Sequence, residues 1–355
     1  MKLGSKKLLL VLCLVLAVSL IAVGCGGGSD NTPAPSNDSS DNGGETADPK
    51  ANWPRSLDLG AASIGGVYYV YGGGLAGLIE EIVGIPVGVE VTGGPNHNMQ
   101  LVHMGDLDLG MVTMGPAYEA WHGIEDWTGG VEHKNVRAIF PMYNTYSQWW
   151  AEEGSGIESI YDLEGKSIGV GPAGGTPGTF HPRFLEVLGI DAKIVQAGLG
   201  DLVSQHLDRQ LDANSFASGI PIGGLLEYSA QRDVVFFGLD KEARDKIIEK
   251  YPYWSTAVIP ASAYEFIDED IETLGIWNVA IASKDLPDTL VYEIVKAVME
   301  NNDILLAAHQ AAAETVLENA ASGNTFLWMH PGAIKYFEEK GISIPSELYP
   351  PEYQK

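Results

Sequence analysis

The chain has 355 residues, 45% hydrophobic and 19% charged, with a mean hydropathy of +0.01. That is enough for about two folded domains and is incompatible with wholesale disorder. Its 21 basic residues stand against 47 acidic ones, for a formal charge of −26. This excludes nucleic-acid binding through phosphate neutralisation and docking of a basic face on an anionic membrane.

The first fifty residues read as an address. Lys2, Lys6 and Lys7 precede an apolar run from Leu8 to Val23, long for a signal-peptide core and short of the ~20 residues that span a bilayer. The run ends at Ala22-Val23-Gly24-Cys25, which reads as a lipobox with Ala22 in place of the usual leucine. Residues 1–24 are therefore expected to be a lipoprotein signal peptide, and Cys25 the site of lipidation. Residues 25–52, rich in Gly, Ser, Asn, Asp, Thr and Pro, cannot bury a core and form an expected flexible tether. The only other cysteine, Cys13, leaves with the signal. No disulfide framework or cysteine-rich zinc site follows.

From Leu57 the patterning changes. Ser56 to Gly60 alternates like a strand and runs into Ala61-Ala62-Ser63-Ile64-Gly65-Gly66. Val67 to Tyr71 comes next, and a helical pattern follows through Leu75, Leu78, Ile79 and Ile82. Val87 to Val91 reads as a strand entering the turn Thr92-Gly93-Gly94-Pro95-Asn96. A helix is predicted near Asn98–Met104, ending at Gly105, then a strand over Leu107–Val112. The same order recurs: strand Lys166–Val170, glycine-rich loop Gly171–Gly178, helix from about His181 to Leu188, strand Lys193–Val195, turn at Gly198 and a helix through Leu207. Val91, Gly94, Leu107 and Asp108 match Val195, Gly198, Leu211 and Asp212 at a constant offset of 104. Ala257–Ser283 reads as strand and loop crossing back to the first lobe, and Leu286 to about Gly341 as mostly helical, with a long stretch over Leu305–Leu317.

The fold expected is α/β, in two periplasmic-binding-protein-like lobes (a venus flytrap) with a ligand cleft between them and C-terminal helices. Lobe 1 is assigned to residues 53–142 plus 255–355 and lobe 2 to 143–254. Strand ends that open into glycine loops and helix starts are where open α/β sheets bind ligands.

The motifs resemble those of TAXI-type solute receptors, the extracytoplasmic binding proteins of tripartite ATP-independent (TRAP) transporters. Gly65-Gly66-Val67-Tyr68-Tyr69, Thr92-Gly93-Gly94, Gly105 to Gly110, Asp162 to Lys166, Gly171 to Gly178, Ile259-Pro260-Ala261 and His330-Pro331-Gly332-Ala333 carry the likeness, over roughly Ser56–Ile342. The resemblance implies no catalysis and no cofactor. It implies capture of a small solute, a carboxylate or an amino acid such as glutamate or a 2-oxo or dicarboxylate, and delivery to a TRAP-type permease. The expected protein is a lipid-anchored, extracytoplasmic monomer. Pro95, where the family tends to have Ser, and Ala61-Ala62-Ser63-Ile64, in place of Thr-Gly-Gly, depart from the pattern.

The expected ligand-binding residues are Ser63, Gly65, Gly66, Val67, Tyr68, Thr92, Asn96, Thr113, Gly174, Gly175, Thr176 and Ser218. Glycines before a helix let an anion approach backbone N–H groups and the positive end of the helix dipole. Tyr68 offers a hydrogen bond or a stacking face, against a packing role. Arg183 offers a bidentate partner for a carboxylate, against a surface role. Trp149 and Trp150 read more readily as core or hinge packing than as cleft wall. Asp106 and Asp108 share a strand face but read as capping groups rather than a metal pair, and His330 as structural. Gly72-x-Gly74-x-x-Gly77 matches a dinucleotide fingerprint but follows no clean strand. No nucleophile elbow, zincin motif or phosphate-binding lysine loop supports a hydrolase. The alternative function is a binding protein for an ATP-driven importer or a ligand-sensing receptor.

Overall fold

The structure is a computed structural model and describes residues 50–320, 323, 324 and 326–353. The signal peptide, the lipobox and all but the end of the tether lie outside these residues. Among the described residues no helix is long and apolar enough to cross a membrane.

Two triplets of parallel strands build the frame. The first comprises β1 (Leu57–Gly60), α1 (Val67–Leu78), β2 (Val87–Glu90), α2 (Pro95–Met104), β3 (Leu109–Thr113) and α3 (Met114–His122), with β1 between β2 and β3. The 17-residue strand β4 (Val136–Glu152) then leads away. The second triplet repeats the plan: β5 (Ser167–Gly169), α4 (Thr176–Leu188), β6 (Lys193–Val195), α5 (Leu199–Leu207), β7 (Ala213–Ser218) and α6 (Gly223–Ser229), with β5 between β6 and β7. After it come β8 (Val234–Phe237), α7 (Lys241–Lys250), β9 (Ser255–Ile259), β10 (Ile271–Ser283), α8 (Asp288–Glu300), α9 (Asn302–Ala308) and α10 (Pro331–Glu339).

The repeat shows in side-chain chemistry as well as in order. Asp108 Oδ2 accepts from the Asp58 N–H at 2.9 Å, and its counterpart Asp212 accepts from the Ser167 N–H at 2.8 Å. Each aspartate satisfies a backbone donor where β1 or β5 begins, so Asp108 has the capping role expected of it.

The strand order is β2-β1-β3-β10-β4-β7-β5-β6. The two long strands serve both triplets. β4 pairs with β10 over Val136–Tyr146, with bulges, and with β7 through Tyr146–Ala151. β10 pairs with β9 through Ile271–Gly275 and with β3 through Asn278–Ala282. The expected return to the first lobe is thus made along β10. Residues before it remain with the second triplet: Ile259, Tyr264 and Ile267 share a buried cluster with Leu199, Phe216 and Leu225. Two antiparallel strands crossing between two packed α/β layers form a two-lobed frame.

Several sequence details explain the helices. Pro182 lies inside α4 and has no N–H for the Gly178 carbonyl; Gln196 Nε2 donates to that carbonyl instead, at 2.8 Å. Asp240 caps α7 through the Ala243 N–H at 2.8 Å. His330 caps α10, its Nδ1 accepting from Gly332 and its Nε2 bonding the Leu286 carbonyl. Trp149 and Trp150 are fully buried. Trp149 stacks on His181 with ring centroids 4.4 Å apart, so these tryptophans are core.

Two helices begin earlier than their apolar periodicity does. Val67–Tyr71 is already the first turn of α1, and α4 starts at Thr176 rather than near His181. The expected long stretch over Leu305–Leu317 is broken at His309, whose Nδ1 accepts from the Ala311 N–H and whose Nε2 bonds the Pro221 carbonyl.

Candidate functional site

The carboxyl ends of the two triplets face each other across a chamber of about 30 Å³. From the first triplet it is lined by Ala62, Ser63, Gly66, Val67, Tyr68, Gly94 and Pro95. Thr145 of the crossing strand contributes to the wall, as do Pro172, Gly175, Thr176, Pro177, Phe216, Ala217 and Ser218 of the second triplet. Seven of the expected residues therefore meet here: Ser63, Gly66, Val67, Tyr68, Gly175, Thr176 and Ser218.

The chamber is built around helix starts. Gly66, Gly94 and Gly175 are the N-caps of α1, α2 and α4, and none supplies a side-chain cap. First-turn N–H groups have no partner inside their helix, so the starts of α1 and α4 turn the positive ends of their dipoles toward the chamber; at α2 Pro95 has no N–H and the Asn96 N–H is already given to Gly174 O. Val67 N–H uses Ser218 Oγ across the gap at 3.3 Å.

The remaining expected residues join the two halves or hold turns. Gly65 O accepts from the Gly224 N–H at 3.3 Å, and the Asn96 N–H donates to Gly174 O at 3.0 Å. Asn96 Nδ2 reaches Thr179 Oγ1 at 3.2 Å, and the hydroxyls of Thr113 and Thr176 lie 2.7 Å apart. Thr92 Oγ1 accepts from the Gly94 N–H at 3.0 Å and sits 2.7 Å from Asn98 Oδ1. Asn98 is wholly structural: its amide donates to the carbonyls of Gly60, Ala61 and Met111. Direct contacts close the gap on several sides, and the halves stand together in this conformation.

Arg183 is not at the chamber. It pairs with the buried Glu119 of α3 at 2.6 Å and with Glu125 at 3.3 Å. Trp127 Nε1 and Tyr253 OH also donate to Glu119. Burial pushes the Glu119 carboxyl above its usual range, although Trp127 and Arg183 pull it back. Of the two roles weighed for Arg183, carboxylate partner or surface charge, the structure shows neither: its guanidinium bridges the halves.

Tyr68 turns its hydroxyl into the crossing strands. It donates to Asn278 Oδ1 at 2.6 Å. The Asn278 amide in turn donates to Tyr143 O and Thr145 Oγ1, both at 2.7 Å. Burial holds the Tyr68 phenol well above its ordinary pKa, so it remains a donor at any physiological pH. On the other half, His181 lies between Ser147 Oγ at 3.0 Å and Ser215 Oγ at 2.7 Å, and burial lowers it to about 3.

Sequence reasoning passed over Thr145, Phe216, Gly94 and Pro95 as wall residues. Gly94 and Pro95 lay inside a recognised turn. Thr145 and Phe216 have no local signal, since the pairing of β4 with β10 places Thr145 here and its pairing with β7 places Phe216. Among the described residues, no group of His, Cys, Asp and Glu forms a metal site.

Two parallel-strand lobes, joined by crossing strands and facing each other through helix starts, define a protein of the periplasmic-binding-protein fold. The chain belongs to the NMT1-like family, whose sequence pattern matches residues 59–341. It is similar in fold to MatC from Rhodopseudomonas palustris with bound malate, at 12% identity and a TM-score of 0.52 over 73% of this chain and 88% of that one. It is also similar to the periplasmic binding protein BugD, at 16% identity and a TM-score of 0.50 over 74% and 86%.

Proposed function

We propose that the protein is an extracytoplasmic solute receptor that encloses a small organic carboxylate in this chamber and hands it to a membrane permease. The observation that carries the reading is the convergence of two glycine-started helices, α1 from one half and α4 from the other, on a single small chamber. Such ends favour an anion, and the malate bound in MatC is a solute of that class. The motif series supports a TAXI-type receptor delivering to a TRAP-type permease. The lipobox supports attachment through Cys25 to the outer face of a bacterial membrane. We assign residues 143 to about 275 to the second lobe and the rest of the folded chain to the first.

The mechanism follows from the closed gap. A chamber of about 30 Å³ is far below the ~300 Å³ of ordinary ligand pockets. Solute therefore enters when the halves part about the crossing strands. It bridges the starts of α1 and α4 and shifts the population toward the closed state. Neither half needs a nucleophile or a general base for this task.

Native mass spectrometry on protein purified without dialysis tests the reading. The expected result is a retained small acid, lost on denaturation. A bare protein that also shows no thermal shift with any of a panel of carboxylates would refute the reading.

A further inference from the structure

The crossing strands bring to the chamber one hydroxyl whose hydrogen-bonding sense is fixed by its neighbours. Thr145 of β4 lines the chamber and is 1% exposed, and its partner Asn278 of β10 is fully buried. The orientation of the Asn278 amide is settled by Tyr143 O, 2.7 Å from Nδ2, because a carbonyl oxygen can only accept. Oδ1 therefore faces Tyr68, whose phenol donates to it. The second amide hydrogen goes to Thr145 Oγ1, also at 2.7 Å. Thr145 thus accepts from β10, and its own proton has no acceptor among the described residues. A buried donor without a partner is destabilising, so this proton marks a place for an acceptor that the chain does not supply.

Two other wall hydroxyls differ. Thr176 Oγ1 lies 2.7 Å from Thr113 Oγ1, and Ser218 Oγ accepts from the Val67 N–H. Both partners stand on the opposite half, so these pairings last only while the gap is closed. The bond from Asn278 to Thr145 joins two paired strands and does not cross the gap.

Building on the receptor reading, we infer that Thr145 is a specificity-determining residue that donates its hydroxyl proton to an acceptor atom of the enclosed solute and admits no donor at that point. Asn278 is the positioning residue that sets this sense. Tyr143 O alone keeps the amide in place, so the sense of Thr145 does not depend on the Tyr68 phenol. A solute that presents an N–H or O–H to Thr145 meets proton with proton. Because the bond to Asn278 persists when the halves part, Thr145 offers the same donor to the open cleft and sorts solutes before closure.

Two measurements test this. In a neutron diffraction map of the protein as purified, exchanged into heavy water, the deuteron on Thr145 Oγ1 is expected to point away from Asn278 and into the chamber. A deuteron directed at Asn278 Oδ1 or at a main-chain carbonyl overturns the inference, whether or not solute is bound. The second measurement is calorimetric titration with 2-oxoglutarate and with L-glutamate. Thr145→Val keeps the shape of the side chain and removes the hydroxyl, and Thr145→Ser keeps the hydroxyl. The valine variant is expected to bind the tighter of the two acids about 10- to 100-fold more weakly than the parent, and the serine variant within about threefold of it. Valine also leaves an Asn278 N–H unpaired, but equally in the free and the bound protein, so urea unfolding reads that loss and the affinity does not. Parental affinity in the valine variant, or equal weakening by valine and serine, overturns the inference and leaves the receptor reading in place. If the parent binds neither acid, the neutron map still decides the role of Thr145, and native mass spectrometry separately decides the receptor reading.

Discussion

The two halves repeat one βαβαβα plan, yet Gly94 and Gly198, matched positions in it, live under different constraints. Gly94 sits at φ +106°, and a Cβ there would lie 2.9 Å from the Cα of Gly175 across the gap. Gly198 sits at φ −60°, and a Cβ would meet nothing closer than Asp201 Oδ2 at 3.7 Å. The duplication has kept what holds each half together. Asp108 and Asp212, likewise matched, each accept from a backbone N–H where the central strand begins. What it has not kept is the contact between halves. That contact is made by the second turn of the first half against the first loop of the second. Scaffold and closure are therefore separable, and substitutions can address them one at a time.

The largest expected effect concerns buried histidines, two of which anchor the second half. α1 is tied to the crossing strands by the Tyr68 phenol, which stays protonated. α4 is tied by His181, and β7 by way of His206, which meets Asn214 Nδ2 at 3.2 Å and Tyr228 OH at 3.1 Å. Burial lowers His181 to about 3 and His206 to about 4; His330, the cap of α10, is also lowered to about 4. The sign follows from where the proton binds. The unfolded chain takes it up below about pH 6.5 and the folded chain does not, so stability is full above that pH and falls as pH drops toward the folded values. Between pH 7 and pH 5 each histidine should cost about 2 kcal/mol, before most carboxylates titrate. Urea unfolding at the two pH values measures it. The double variant H181Q/H206Q should lose their share and keep that of His330 and of His103, His122, His133 and His309, which burial also lowers. An unchanged fall in that variant would place the acid sensitivity outside the second half.

Closure comes next. Gly94→Ala forces a side chain into a backbone region close to glycine-only and into Gly175, at a cost of about 2–3 kcal/mol. Solute affinity should fall by roughly 30- to 100-fold. Gly198→Ala should leave affinity within about twofold, since its φ suits any residue. Similar losses from both, by calorimetry, would end the distinction between the halves.

The ion pair between the halves ranks below this. Arg183→Met removes the partner of Glu119 only in the closed state, because parting the halves breaks the same bond. The net effect should be about 1–2 kcal/mol on apparent affinity, with the thermal midpoint of the ligand-free protein moved toward that of an open form. Small-angle scattering without solute should report a larger radius of gyration for Arg183→Met than for the parent. Identical radii would mean that the pair does not hold the halves together.

How much of this was legible depends on whether the cause was local. Strand ends, glycine turns and the order of elements were readable because Gly105 and Gly189 stop their helices at φ +81° and +73°, as helix-terminal glycines do. The starts of α1 and α4 were not, because Gly66 and Gly175 take the place of Ser, Thr, Asp or Asn and leave no capping signal. A side-chain cap would occupy first-turn donors, as Ser218 Oγ already does across the gap for the Val67 N–H. Arg183 looked available to a carboxylate because Glu119, 64 positions away in sequence, gives no local sign of its approach. Thr145 was invisible for the same reason. Its place is set by the register of β4 with β7 and β10, which no window of sequence contains.

The smallest expected effect bears on what Tyr68 does. Its ring lines the chamber, which suits the expected contact with solute, but its hydroxyl is committed to Asn278. Tyr68→Phe leaves the ring in place and orphans one acceptor, Asn278 Oδ1, in a residue with no solvent exposure. Both Asn278 N–H bonds to β4 persist. Stability should therefore fall by about 1 kcal/mol. Solute affinity should change by less than about threefold, because the lost bond serves the crossing strand in the open and closed states alike. The two quantities separate the roles. A loss of affinity well beyond the loss of stability would mean that the phenol oxygen also faces the solute, and α1 would then contribute a side chain as well as its dipole. An affinity held nearly constant would confine the first half's grip on the acid to backbone N–H groups and the hydroxyl of Ser63, leaving Thr176 and Ser218 as the second half's share.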